Sequence, residues 1–143
     1  MSSNVKIVKN NTKRVLGAMS GNNLAKAVRA GALILEGAVK ISMSSTAHTG
    51  KVYGKHRASA PGETPAVDTS ALVNSISTWN ISSTETEAWA GCGTGLEYAE
   101  WLEFGTSWIE ARPFMRPALD NNEEKIKAVV RKFAKDGIEG ALG

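Results

Sequence analysis

Residues 98–117 read YAEWLEFGTSWIEARPFMRP, a stretch in which aromatic residues and proline crowd together. Tyr98, Trp101, Phe104, Trp108 and Phe114 are five of the nine aromatic residues in the chain, packed into 17 positions. Tyr98, Trp101 and Leu102 recur at helical spacing, with Glu97, Glu100 and Glu103 on another face, so a two-turn helix is expected. Gly105 suits its end, because glycine tolerates the left-handed geometry that follows a helix. A further helix is expected to open near Pro113 or Pro117, where proline fits the first turn. On this reading Tyr98, Trp101, Leu102 and Phe114 belong to the core. Arg112 is placed to pair with Glu103 across the intervening linker. Trp108 sits in that linker without a periodic partner, and an aromatic anchor of this kind is expected to fill a pocket on an adjacent subunit.

Upstream, Asn22 or Asn23 caps a helix running to about Met43, with Leu24, Ala27, Val28, Leu35, Ala38 and Val39 as its apolar stripe. Residues 44–68 have no usable periodicity and form a long loop carrying both histidines, with Val52 and Tyr53 as its only apolar anchors. Asp68 or Thr69 is expected to cap a short turn over SALVNS. Two strands follow, around Ile76–Ile81 and Thr84–Cys92, joined by a hairpin turn at SSTE. In the last helix Leu119, Ile126, Val129, Val130 and Phe133 make the stripe, and Gly137 and Gly140 end it. Residues 1–21 read as a flexible basic arm, and 22–143 as one α+β domain. A small antiparallel sheet is expected to pack with a long N-terminal helix and a long C-terminal helix.

The 143 residues suit one domain, able to bury roughly 68% of its unfolded surface without disulfides or metal. A single cysteine excludes a disulfide framework, and no apolar run approaches the ~18 residues of a membrane span. Composition therefore points to a soluble, cytosolic protein with no membrane partner. The net charge of +3 divides unevenly: residues 1–71 carry +7 and residues 72–143 carry −4. Opposite-signed halves suit nucleic-acid binding by the front half, a head-to-tail contact between copies, or charge that only keeps a small domain soluble.

Catalysis has little to stand on. His48 and His56 lack an acidic cluster, with Glu63 and Asp68 as the only carboxylates of their loop, so no metal site is expected. Cys92 reads as an inert core thiol, and GCGTGL lacks the third glycine of a dinucleotide fingerprint. No catalytic residue, cofactor or metal is assigned, and an enzyme is not expected.

The runs YAEWLEFGT and ARPFMRPAL, preceded by SAPGETPAVDTSALVNSI, together resemble the HK-ninety-seven gene-product-ten-like family of tailed bacteriophages, known as tail components, head–tail connectors or neck proteins. The resemblance spans about residues 24–140. It carries Tyr98, Glu103, Phe104, Gly105, Thr106, Arg112, Pro113, Phe114 and Pro117 as the structural motif. Ser70 stands where the family usually has glycine after Asp-Thr, and Trp108 and Ile109 make the linker more apolar than the family pattern. The resemblance implies a non-enzymatic subunit of a neck or tail-completion ring, a hexamer favoured and a dodecamer as the alternative. It would sit at the head–tail junction of the virion, after assembly in the host cytoplasm. Head-side connector and tail-side terminator proteins would be its neighbours, and DNA would pass through its channel without sequence-specific binding. Tyr53, Lys55, Arg57, Trp108 and Ile109 are the candidate interface residues. A basic nucleic-acid-binding module using the N-terminal half is the alternative.

Overall fold

The computed structural model describes residues 2–6, 21–68, 70–84 and 87–142. Strand β1 (Ser2–Lys6) is followed by helix α1 (Gly21–Ser45), the short strands β2 (Val52–Tyr53) and β3 (His56–Arg57), and the single-turn helix α2 (Ala71–Ser75). Strands β4 (Ser77–Ser83) and β5 (Ala88–Gly93), helix α3 (Glu97–Phe104) and helix α4 (Met115–Leu142) complete the chain. The fold is α+β, as the sequence pattern implies.

Strand β5 is the centre of a three-stranded antiparallel sheet, with β1 on one edge and β4 on the other. Ser2 pairs with Gly93 and Lys6 with Trp89, so residues 2–6 are a strand and not part of a flexible arm. Main-chain bonds to an otherwise open sheet edge explain this, since they require no apolar periodicity that a sequence would advertise. The remainder of the expected arm, Met1 and residues 7–20, lies outside the described residues. On the other edge, β4 takes one extra residue between Asn80 and Ser82, a bulge in the pairing with β5.

Small side chains on β5 let α1 settle close to the sheet. Leu24, Val28 and Ala32 of α1 pack on Ala88 and Ala90, while Leu35, Val39 and Met43 join Cys92 in the main core. On the opposite face the Trp79 indole covers Gly91, where a Cβ would stand only 2.8 Å from the ring. Leu24, Ala27, Val28, Leu35 and Val39 of the expected α1 stripe are fully buried.

Met115, Ala118 and Ile126 of α4 enter the main core, whereas Ala134 packs with Leu24 and Val28, so the two long helices run antiparallel. Leu119 and Val130 pack at the margin of the core, but Phe133 is exposed. Neither Gly137 nor Gly140 ends α4, which continues to Leu142. Gly137 instead admits the start of α1: a Cβ there would lie 3.2 Å from that of Asn23.

Ser70 opens α2 with φ of 63° and no side-chain cap bond, and its carbonyl accepts the Asn74 N–H. Of the two residues expected to cap this turn, Asp68 lies two positions before it and Thr69 is outside the described residues. A non-glycine residue in the left-handed region costs about 1–2 kcal/mol, partly offset by the lower unfolded-state entropy of serine relative to glycine. Ser70→Gly is therefore expected to stabilise the fold by about 0.5–1 kcal/mol. Thermal unfolding checks this, and a lowered Tm would show that the serine contributes more than its backbone strain costs.

Candidate functional site

The motif residues converge on the start of α4. Glu103, near the end of α3, is buried, and its carboxylate reaches across the chain to accept three main-chain N–H groups. Oε2 accepts from Phe114 at 2.8 Å and Met115 at 3.0 Å, and Oε1 accepts from Arg116 at 2.9 Å. The first N–H groups of a helix lack internal partners and carry the positive end of its dipole, so an anionic cap satisfies both. Glu103 caps a different helix from the one it belongs to.

This corrects two expectations. Glu103 does not lie on an exposed acidic face with Glu97 and Glu100, and it does not pair with Arg112. The Arg112 Nε donates to the Ser59 carbonyl at 3.2 Å, and its own N–H donates to the Leu102 carbonyl at 2.6 Å. Pro113 is half-buried, Phe114 is buried in the core, and Pro117 falls in the first turn of α4, where no N–H is required.

Between the two helices the chain makes a tight, self-bonded turn. The Gly105 N–H closes α3 onto the Trp101 carbonyl at 2.8 Å, with φ of 74°. A side chain there would be strained by that angle, and would also stand 2.9 Å from the Ile109 carbonyl. Thr106 then organises the turn. Its N–H donates to the Ile109 carbonyl at 2.7 Å, and its Oγ1 accepts the N–H groups of Trp108 at 3.1 Å and Ile109 at 3.0 Å. The bonded frame holds Trp108 at the tip, 93% exposed.

Capping by Glu103 also decides which face of α3 turns inward. Ala99 and Glu103, four apart, are its buried residues. Tyr98, Trp101 and Phe104, three apart, consequently line the outer side, 38%, 50% and 71% exposed. Tyr98 and Trp101 are therefore surface residues and not core, and Leu102 is only partly buried against the core. Together with Trp108 they form an uncovered aromatic stripe along α3 and the turn after it.

The loop at 44–68, expected to lack structure, is ordered by polar contacts. The β2–β3 hairpin turns through Gly54 and Lys55, and the Gly50 N–H and Ala58 carbonyl extend its ladder at 3.0 Å. Glu63 holds the loop together: its carboxylate accepts the N–H groups of Ala60 at 2.8 Å and Thr49 at 3.1 Å, and the Thr49 hydroxyl. These bonds, the Thr49 hydroxyl first, lower its pKa to about 2. His48 Nδ1 lies 3.8 Å from this carboxylate, buried and without a hydrogen-bond partner.

Of the candidate interface residues, Tyr53, Lys55 and Arg57 are exposed on the hairpin, the Lys51 Nζ standing 5.4 Å from the Tyr53 ring centroid. Trp108 and Ile109 are exposed on the turn. Two bonds join the loop to the segment after that turn, Gly62 N–H to the Ala111 carbonyl at 2.9 Å and Arg112 to Ser59. The reading of the sequence missed Glu63 and Glu103 as organisers, because a carboxylate that caps main-chain groups leaves no residue-type pairing to find.

Cys92 lies in the core, and burial, with the Glu36 charge adding to it, pushes its thiol up to about 12. It is a packed thiol and not a nucleophile at neutral pH. Among the described residues no group of three His, Cys, Asp or Glu is arranged to hold a metal, and no helix is long and apolar enough to cross a membrane. No protein-family model, curated protein or solved structure matches the chain.

Two outcomes follow from the carboxylates. Glu103→Ala leaves three helix-start N–H groups without their acceptor and is expected to cost at least about 2 kcal/mol, more than Arg112→Ala, which removes one side-chain bond. Equal melting of the two variants would contradict the capping role. Because Glu63 is depressed from 4.5 to about 2, its contribution is present above about pH 4.5 and is lost as pH falls toward 2. Amide exchange at Thr49 and Ala60 should accelerate across that interval, beyond its intrinsic pH dependence, and Glu63→Gln should remove the excess.

Proposed function

We propose that the chain is a structural subunit of the phage head–tail connector, a neck or tail-completion ring that joins head to tail and leaves a channel for DNA. The observation that carries this reading is the aromatic stripe of Tyr98, Trp101, Phe104 and Trp108, held outward by a rigid hydrogen-bonded frame. Large rings left in water on one short segment mark an interaction site, since binding energy concentrates in such anchors. The frame itself is built from the residues on which the sequence resemblance rests: Glu103, Gly105, Thr106, Pro113 and Phe114. On this reading the work is assembly, and the ordered loop carrying Tyr53, Lys55 and Arg57 adds a second, basic contact surface. Neighbours of the ring are the head-side connector and tail-side terminator proteins, and DNA is threaded through it without base readout.

The test is mass in solution and electron microscopy of the purified chain, alone and with virion partners, in the absence of DNA. Ring-shaped oligomers, or incorporation at the neck of assembling particles, are expected. A chain that stays monomeric, is never incorporated, and binds duplex DNA with steep salt dependence would instead favour the nucleic-acid-binding alternative. Trp108→Ala should leave the melting temperature nearly unchanged, because the side chain is 93% exposed, while weakening association about 30-fold or more.

A further inference from the structure

The aromatic stripe has a counterpart elsewhere on the same chain. Between α1 and α4 lies an open cavity of about 360 Å³, lined by Ile34, Gly37, Ala38 and Ile41 of α1 and by Asn122 and Lys125 of α4. Its floor is empty at Gly37, where an added Cβ would meet nothing within 4 Å. Glycine in the interior of a helix costs roughly 0.5–1 kcal/mol against alanine, and nothing in the monomer occupies the space it leaves. Ile41 on its wall and Leu33 on the same helix are exposed, so apolar surface here is uncovered. The cavity shares no residue with the stripe.

Charge matches the two surfaces. Around the stripe Glu97, Glu100 and Glu110 are exposed and carry no ion pair among the described residues. On α4, Lys125 at the cavity and Arg131 and Lys132 beyond it are likewise exposed and unpaired among the described residues. An apolar knob with Glu110 beside it thus has a counterpart in an apolar hole with Lys125 at its margin. Complementary fields of this kind orient an encounter, and the aromatic anchor supplies most of the affinity.

We infer that the turn at 105–110 of one copy docks on the α1–α4 groove of the next, with Trp108 seated over Gly37 and Glu110 facing Lys125. This rests on the ring-subunit reading and names its contact. Because knob and groove are different surfaces, the contact is head-to-tail and repeats from copy to copy, closing into a ring when the rotation permits. Docking leaves the monomer fold untouched, since the Thr106 frame already presents Trp108 and the groove is already open.

A complementation experiment tests it. Trp108→Ala removes the knob and keeps the groove; Gly37→Phe fills the groove and keeps the knob. Each variant alone is expected to associate about 30-fold or more weakly than the wild type, with a melting temperature that shows it folded. Mixed together, they should form one-to-one dimers and nothing larger, because only one competent contact remains between them. A surface charge pair gives a readout independent of core packing: Lys125→Glu should weaken association, and adding Glu110→Lys to the same chain should restore it. A mixture that stays monomeric, Gly37→Phe that assembles like the wild type, or a Glu110→Lys that fails to rescue would each overturn the assignment. If Trp108→Ala blocks rings but Gly37→Phe does not, the groove is wrong while the ring reading stands. A wild-type chain that never self-associates yet joins the neck of virions overturns the self-docking and leaves the structural role.

Discussion

The carboxylate of Glu103 holds two helices in one arrangement. By accepting the N–H groups of Phe114, Met115 and Arg116, it ties the end of α3 to the start of α4. Three consequences follow from that single cap. Phe114 is delivered into the core beneath α1, the eight-residue helix α3 is rotated so that Ala99 and Glu103 face inward, and the intervening residues must close in a tight loop. The closing bonds come from Gly105 and Thr106, and the cost of turning Tyr98, Trp101 and Phe104 toward water is offset by helix capping and core burial rather than by local packing.

The long loop at 44–68 solves a similar problem with similar means. Although Pro65 is buried and Val67 packs on the core near its end, most of it has too few apolar residues for burial to order it. Glu63 orders it instead, with the backbone of Thr49 and Ala60 and the Thr49 hydroxyl around one carboxylate. Bonds from Gly62 to Ala111 and from Arg112 to Ser59 then attach the loop to the segment that carries the aromatic turn. The hairpin with Tyr53, Lys55 and Arg57 and the turn with Trp108 are therefore joined through main-chain carbonyls, although they are some fifty positions apart in sequence. Such joining fixes the hairpin and the turn relative to each other through bonds that no side-chain pattern reveals.

Packing between the long helices is governed by small residues used in opposite ways. At Gly137 the missing side chain is used within the monomer, where Asn23 approaches too closely for a Cβ to fit without adjustment. At Gly37 the missing side chain is filled by nothing in the monomer and leaves a cavity. The same residue type thus marks an internal contact in one place and open surface in the other, and only the neighbouring helix distinguishes them.

The order and kind of most elements are legible in the pattern of residues alone. Periodicity placed α1 with its stripe of Leu24, Val28, Leu35 and Val39, the two-turn α3 ending at Gly105, and the long α4, because amphipathic spacing reflects one buried face. Alternation likewise located β5, the hairpin turn before it placed β4, and the position of Trp108 between Gly105 and Pro113 marked it as a residue outside the helices. Tertiary structure decided the rest. Residues 2–6 form a strand because β5 offers an edge, and main-chain pairing leaves little trace in side-chain type. Tyr98 and Trp101 face outward because the cap made by Glu103 sets the rotation of α3, a choice that two apolar faces of one short helix leave open. Glu103 bonds to backbone and not to Arg112, and Glu63 gathers a loop that has no pattern, since any residue can supply the N–H that a buried or half-buried carboxylate accepts.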